Sequence, residues 1–173
     1  MNERLERYLR LATDMNADDA VAIDVDDIAF DGRTLLKCMF GCSSWGKGPT
    51  CPSRPQFPKP WELEPLLRKY DKVIIIHSSD KHIAQEVSFM LEREAFLDGD
   101  ALAFSMSDCA LCEVCAGGTG GECRNVSKAR PSFHSVGIDI FTTVKRLGLP
   151  LETLRNLDDR QNWYSAVWLN DIG

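Results

Sequence analysis

Residues 72–78 read KVIIIHS, and this run constrains the fold more than any other stretch of the chain. A strand with one wet face alternates apolar and polar side chains. A continuous apolar run such as Val73 to Ile76 buries both faces, as a central strand does. The layers on either side of it must come from the remaining pattern.

That pattern supplies them. Residues 2–13 have the charge and apolar spacing of a helix. A strand through AVAIDVDDIAFD follows, with Gly32 as a turn, and TLLKC (34–38) reads as a second short strand delivering Cys38. Residues 39–60 are dense in Gly, Ser and Pro and read as a long loop, of a length that is usually functional inside a small domain. A helix is expected from Pro60 to about Tyr70. Another is expected from Lys81 to Leu97, with Ile83, Ala84, Val87, Met90, Leu91 and Leu97 on one face and Gly99 as its stop. ALAFSM is a further strand. Pro131 suits the first turn of a helix, Gly137 divides that region from a second helix ended by GLP at 148–150, and WYSAVWLN is the last strand. Strands alternating with helices predict an α/β or α+β fold, a mixed sheet flanked by helices, with two cysteine-bearing loops at strand ends. One cysteine-rich domain over residues 1–173 is expected, with 1–18 as N-terminal helix and linker.

Composition narrows the function classes. The net charge of −6, from 26 acidic against 20 basic residues, argues against nucleic acid as a partner. No apolar run approaches the roughly 20 residues that cross a bilayer, so no membrane association is expected. The first residues lack the apolar middle of a signal peptide, which points to the cytoplasm. In that reducing compartment seven cysteines do not form a disulfide framework. Their grouping into three and four also sets them apart from scattered core thiols. Metal binding is the reading that spacing and compartment favour.

Cys109, Cys112 and Cys115 are each separated by two residues, and Cys123 follows seven residues later. The first three match the Cys-x2-Cys-x2-Cys run with which bacterial ferredoxins wrap a cubane, so one [4Fe–4S] cluster is expected on these four thiols. Zinc is the alternative, although structural zinc sites pair their thiolates in knuckles set further apart. Gly117, Gly118, Gly120 and Gly121 would let backbone amides approach cluster sulfide, or would serve only as a connector. Arg124, Lys128 and Arg130 would offset the charge of a four-thiolate centre, or form a solvated face.

Cys38, Cys42 and Cys51 have three and eight intervening residues, and Pro52 follows the last. Three thiolates suit a second cluster with one iron left for another ligand, or a zinc site completed by His77, His82, His134 or water. The spacing matches the radical-SAM motif in its first pair alone. Lys47 between these thiolates would offset their charge.

In their order, CMFGCSSWGKGPTCPSRP, LEREAFLDG, CALCEVC, CRNVSKARPSFHSVGIDIF and GLPLETL resemble the family of predicted metal-binding proteins termed domain of unknown function 2284. The resemblance covers most of the chain after about residue 30. It implies a small cytoplasmic protein of bacteria or archaea in which both cysteine groups bind metal, iron–sulfur being the usual supposition. TCPSRP departs from the family, which more often has an aromatic before the cysteine and a second proline after it. The sequence therefore predicts an iron–sulfur protein in electron transfer or redox regulation, working with a redox partner protein. The alternatives are a zinc-stabilised interaction module, or an enzyme with an open metal position at the three-cysteine site.

Overall fold

The computed structural model describes residues 2–156 and 158–170; the expectation of one domain over 1–173 includes residues 1, 157 and 171–173, which lie outside it. The elements run α1 (Glu3–Asp14), β1 (Asp19–Asp24), α2 (Thr34–Gly41), α3 (Pro60–Leu67), β2 (Lys72–Ser78), α4 (Lys81–Leu97), β3 (Phe104–Ser107), α5 (Ile140–Arg146) and β4 (Trp163–Leu169). Short 3-10 turns occupy Val25–Asp27, Ala116–Thr119 and Phe133–Val136.

The strand order is β1-β2-β4-β3, so KVIIIHS is an inner strand. Its register pairs Asp19 with His77 on one side and Lys72 with Leu169 on the other. Alternate side chains then feed two cores. Ile74 and Ile76, with Val167 and Leu169, pack against Leu5, Tyr8 and Ala12 of α1 and Val87, Leu91 and Ala95 of α4. Val73 and Ile75, with Ala166 and Trp168, pack against Ile28, Leu67, Phe133, Val136, Ile138 and Val144. Both faces of β2 are covered, which is why its sequence does not alternate.

The helix-flanked fold class holds, but the sheet is antiparallel throughout instead of mixed. The α4 crossover does leave β2 and β3 parallel to one another. The last strand, β4, inserts between them and pairs antiparallel with both, so no parallel neighbours remain.

TLLKC is not a strand. It opens α2, after a turn in which the Arg33 N–H donates to Asp31 Oδ1 at 2.9 Å and the Thr34 N–H to the Asp31 carbonyl at 3.1 Å. A five-residue segment has too little length to separate helix from strand, and Leu and Lys favour helix. Cys38 therefore rides on a helix, not a strand end. The second group does leave a strand, with Cys109 two residues past β3. Pro131 does not start a helix either: its carbonyl accepts the Ser107 N–H at 3.1 Å, tying the chain to the end of β3, and the turn begins at Phe133. Gly137 divides the region as expected, at φ 91°, with Pro60 so close that a Cβ would press on it. Leu97 faces solvent, whereas Ala84, Val87 and Leu91 are buried as their spacing predicts. Among the described residues no helix is long and apolar enough to cross a membrane.

Candidate metal centres

The first cysteine excursion is held by its own turns. Beyond α2 the N–H groups of Trp45, Lys47, Cys51 and Arg54 each bond a carbonyl three residues back. The Arg54 Nε–H donates to the Gly48 carbonyl at 2.9 Å, and Lys59 Nζ donates to the Pro52 carbonyl at 2.7 Å. Inside this wrap Cys51 Sγ accepts from the Ser53 hydroxyl at 3.1 Å and the Gly46 N–H at 3.2 Å. Burial alone would raise the Cys51 thiol, but these donors and the nearby Arg54 charge outweigh it and hold the thiol below its usual range. Cys38 shows the reverse. Burial, then the charges of Cys42, Cys51 and Asp108, push its thiol up to about 11.

Cys38 and Cys42 line a recess of about 1020 Å³ together with Asp108, His134, Phe40 and Phe141. Asp108 keeps contact with solvent, but the protein around the recess removes enough water to raise its carboxyl. His134 stacks on Phe141 at 5.9 Å, and burial lowers its imidazole.

The second excursion is anchored to α4 and closed by contacts of its own. The Ala110 N–H donates to Gln85 Oε1 of α4 at 2.7 Å. Asn125 then touches two sulfurs, its side-chain Nδ2 donating to Cys112 Sγ at 3.1 Å and its backbone N–H to Cys123 Sγ at 3.4 Å. One residue thus draws both ends of the loop together. The N–H groups of Gly118, Gly120 and Gly121 go to the carbonyls of Cys115, Gly117 and Ala116, which closes the turn between Cys115 and Cys123. Cys109 and Cys115 are exposed.

The two excursions meet. Gly117 is buried with its Cα against the Lys47 carbonyl, where a Cβ would collide, and that added atom would lie 3.7 Å from Cys115 Sγ. Thr50 Oγ1 also donates to the Arg130 carbonyl at 3.4 Å. Six of the seven cysteines lie on these two adjoining excursions, and Cys38 lies on α2, where the first begins. Among the described residues, no three His, Cys, Asp or Glu side chains are arranged to hold a single metal ion.

The model of one family, described as predicted metal-binding protein (DUF2284), matches residues 21–169 of the 173. The chain belongs to that family. No curated protein and no solved structure matches it. The family's description is of metal binding, and the matched span includes both cysteine groups.

The other residues singled out by sequence take varied places. Lys47, Gly118 and Arg124 are exposed. Arg130 is largely buried between the Phe89 and Phe104 rings, in a two-point ion pair with Glu92 at 2.7 and 2.9 Å. His77 is fully buried, with Nδ1 against Asp19 at 2.8 Å and Nε2 against Asn162 at 2.9 Å; both ring nitrogens are engaged within the fold. His82 is exposed on the first turn of α4, and His134 shares the recess with Cys38 and Cys42. Sequence reasoning passed over Asn125 and Asp108. Each had a signal: an amide two residues after a ligand-type cysteine, and an acid directly between a buried strand and Cys109.

Proposed function

We propose that this protein is an iron–sulfur protein of electron transfer or redox regulation. One [4Fe–4S] cluster is held by Cys109, Cys112, Cys115 and Cys123, and a second centre by Cys38, Cys42 and Cys51. The observation that carries this reading is Asn125, which offers N–H donors to the sulfurs of Cys112 and Cys123 together. Such donors stabilise thiolate and are a lever on cluster potential. The donor set is all soft sulfur, which suits an iron–sulfur cluster and also zinc. Ligand sets of this kind close fully when metal binds, because binding and folding are coupled and bare thiolates repel. A cluster supplies one-electron transfer. The chain's own part is to orient the thiolates, to donate hydrogen bonds from Asn125, Gly46 and Ser53, and to limit solvent at Cys38.

Anaerobic purification followed by iron, sulfide and zinc analysis and electron paramagnetic resonance tests this. Brown protein with equal iron and sulfide, bleached by dithionite, is expected. Colourless protein with stoichiometric zinc overturns it in favour of a zinc-stabilised module, which would lose its fold on chelation.

The recess beside Cys38 and Cys42 favours a second reading, an enzyme with an open metal position at the three-cysteine centre. Cyanide added to the reduced protein should then change the signal of that centre alone; a spectrum unchanged by cyanide removes this reading.

A further inference from the structure

A second cleft, of about 330 Å³, is formed by the start of α5, residues 151–154 and the start of β4. It shares Asp108, His134 and Phe141 with the wide recess, but no cysteine lines it. Its lining is apolar and largely aromatic, with Phe141, Trp163, Leu151 and Leu154 beside the buried Phe133 and Tyr164. The Tyr164 hydroxyl donates to the Pro150 carbonyl, so that residue brings a ring and no free donor.

The charges of the cleft are of one sign. Asp108 and Glu152 line it, and no Lys or Arg does. Burial lowers the His134 imidazole, which is therefore neutral at neutral pH. Neither carboxylate has a hydrogen bond or an ion pair among the described residues. All of these groups can be reached from solvent: Asp108 and Glu152 are exposed, Phe141 is 49% and Leu154 47% exposed, and Trp163 is half-buried. Open apolar surface beside unpaired carboxylates suits a cation with an apolar body. The carboxylates would give charge-assisted hydrogen bonds, and the ring faces a cation–π attraction.

We infer that this cleft binds a small organic ammonium ion, primary or quaternary, with its charge facing Asp108 and Glu152 and its apolar body against Phe141, Leu154 and Trp163. An anion would meet two carboxylates and no cation in the lining, and a neutral molecule would leave both carboxylates unpaired. Lys81 opposes the site from outside the lining: its ammonium stands 5.0 Å from the centroid of the Trp163 ring and also acts on Asp108. The site does not rest on the metal assignment. An occupant long enough to pass Asp108 would enter the recess lined by Cys38 and Cys42.

Saturation-transfer NMR with the full-length protein as purified tests this, using benzylammonium and benzyltrimethylammonium, with benzyl alcohol and benzoate as neutral and anionic controls. Saturable binding of one or both cations is expected, about tenfold tighter than that of the alcohol, and none of benzoate. Tighter binding of the primary ion makes the carboxylates the leading contact; tighter binding of the quaternary ion makes it the rings. Asp108→Asn should weaken the cations about tenfold, and Lys81→Gln should tighten them about twofold. Glu86→Gln, which removes an exposed acid outside the cleft, should change nothing. Should Asp108→Asn disturb the neighbouring Cys109, seen as lost metal, Glu152→Gln answers the same question with an expected loss of about threefold. The site is overturned by no saturable binding of either cation, by alcohol bound as tightly as the cations, or by cation binding unchanged in both Asp108→Asn and Glu152→Gln. A loss in Glu86→Gln equal to that in Glu152→Gln overturns it too, leaving only the general attraction of a chain with net charge −6.

Discussion

The two cysteine excursions hold their thiols by different means. In the first, the sulfur of Cys51 is bonded by Ser53 and Gly46 of its own loop, and the backbone closes on itself in successive turns. The second adds residues far away to its own contacts: Gln85 holds Ala110, and Glu92 holds Arg130. The first is a locally folded wrap opening on a wide recess. The second closes on itself through Asn125 and the glycine turn and is in addition tied to α4. The difference teaches that damage to α4 should be felt at the four-cysteine end before the three-cysteine end.

The largest test of that contrast is Glu92→Ala. It strands the Arg130 guanidinium in a largely buried position and frees the Ser105 hydroxyl. A loss of about 3 kcal/mol in denaturant unfolding is expected. Metal should leave the four-cysteine centre while the other is retained; equal loss from both would break the contrast.

Next comes Gly117→Ala, which drives a methyl into the Lys47 carbonyl where the excursions touch. About 2 kcal/mol of destabilisation is expected, as for overpacking elsewhere. Because the contact is shared, this variant should disturb both centres, and spectra showing only one disturbed would deny that they are mechanically joined.

Asn125→Ala should cost about 1 kcal/mol. It removes the donor to Cys112 and leaves the backbone donor to Cys123. Faster chelation of metal from the four-cysteine centre, with an unchanged rate at the other, is the expected readout.

The smallest effect concerns the recess wall on the first side. Asp139 caps α5, accepting from the Thr142 N–H at 3.0 Å and its hydroxyl at 2.6 Å. Burial would raise this carboxyl, but the Thr142 bonds win and lower it. A depressed acid stabilises the fold above its unfolded pKa, and that contribution is lost as pH falls through the lower folded value. Asp139→Ala should therefore cost about 0.5 kcal/mol at neutral pH and nothing once both states are protonated in strong acid. A constant difference across that range, measured by denaturant unfolding, would rule the cap out as the cause.

Much of this was legible before any fold was known. Long periodic segments were read well: Lys81–Leu97 is a helix with those very bounds, because a cap at Asp80, accepting the His82 N–H at 2.7 Å, and Gly99 at φ 101° mark its ends. TLLKC was misread because five residues do not define a period. The antiparallel sheet was misread because nothing in WYSAVWLN says which two strands it will separate. Of the sites, the cysteines declared themselves by spacing, while the pairing of Asn125 with two sulfurs came from the bend of the loop.

Local order along the chain was enough for the chemistry of the thiols, the doubly buried strand and the principal helices, since these depend on residues a few positions apart. The meeting of Lys47 with Gly117, the grip of Gln85 on Ala110 and the cleft shared by Asp108, Glu152 and Trp163 waited on the packed molecule. Each joins segments more than twenty residues apart, and no local spacing encodes such an approach; it depends on how the elements pack around the two cores.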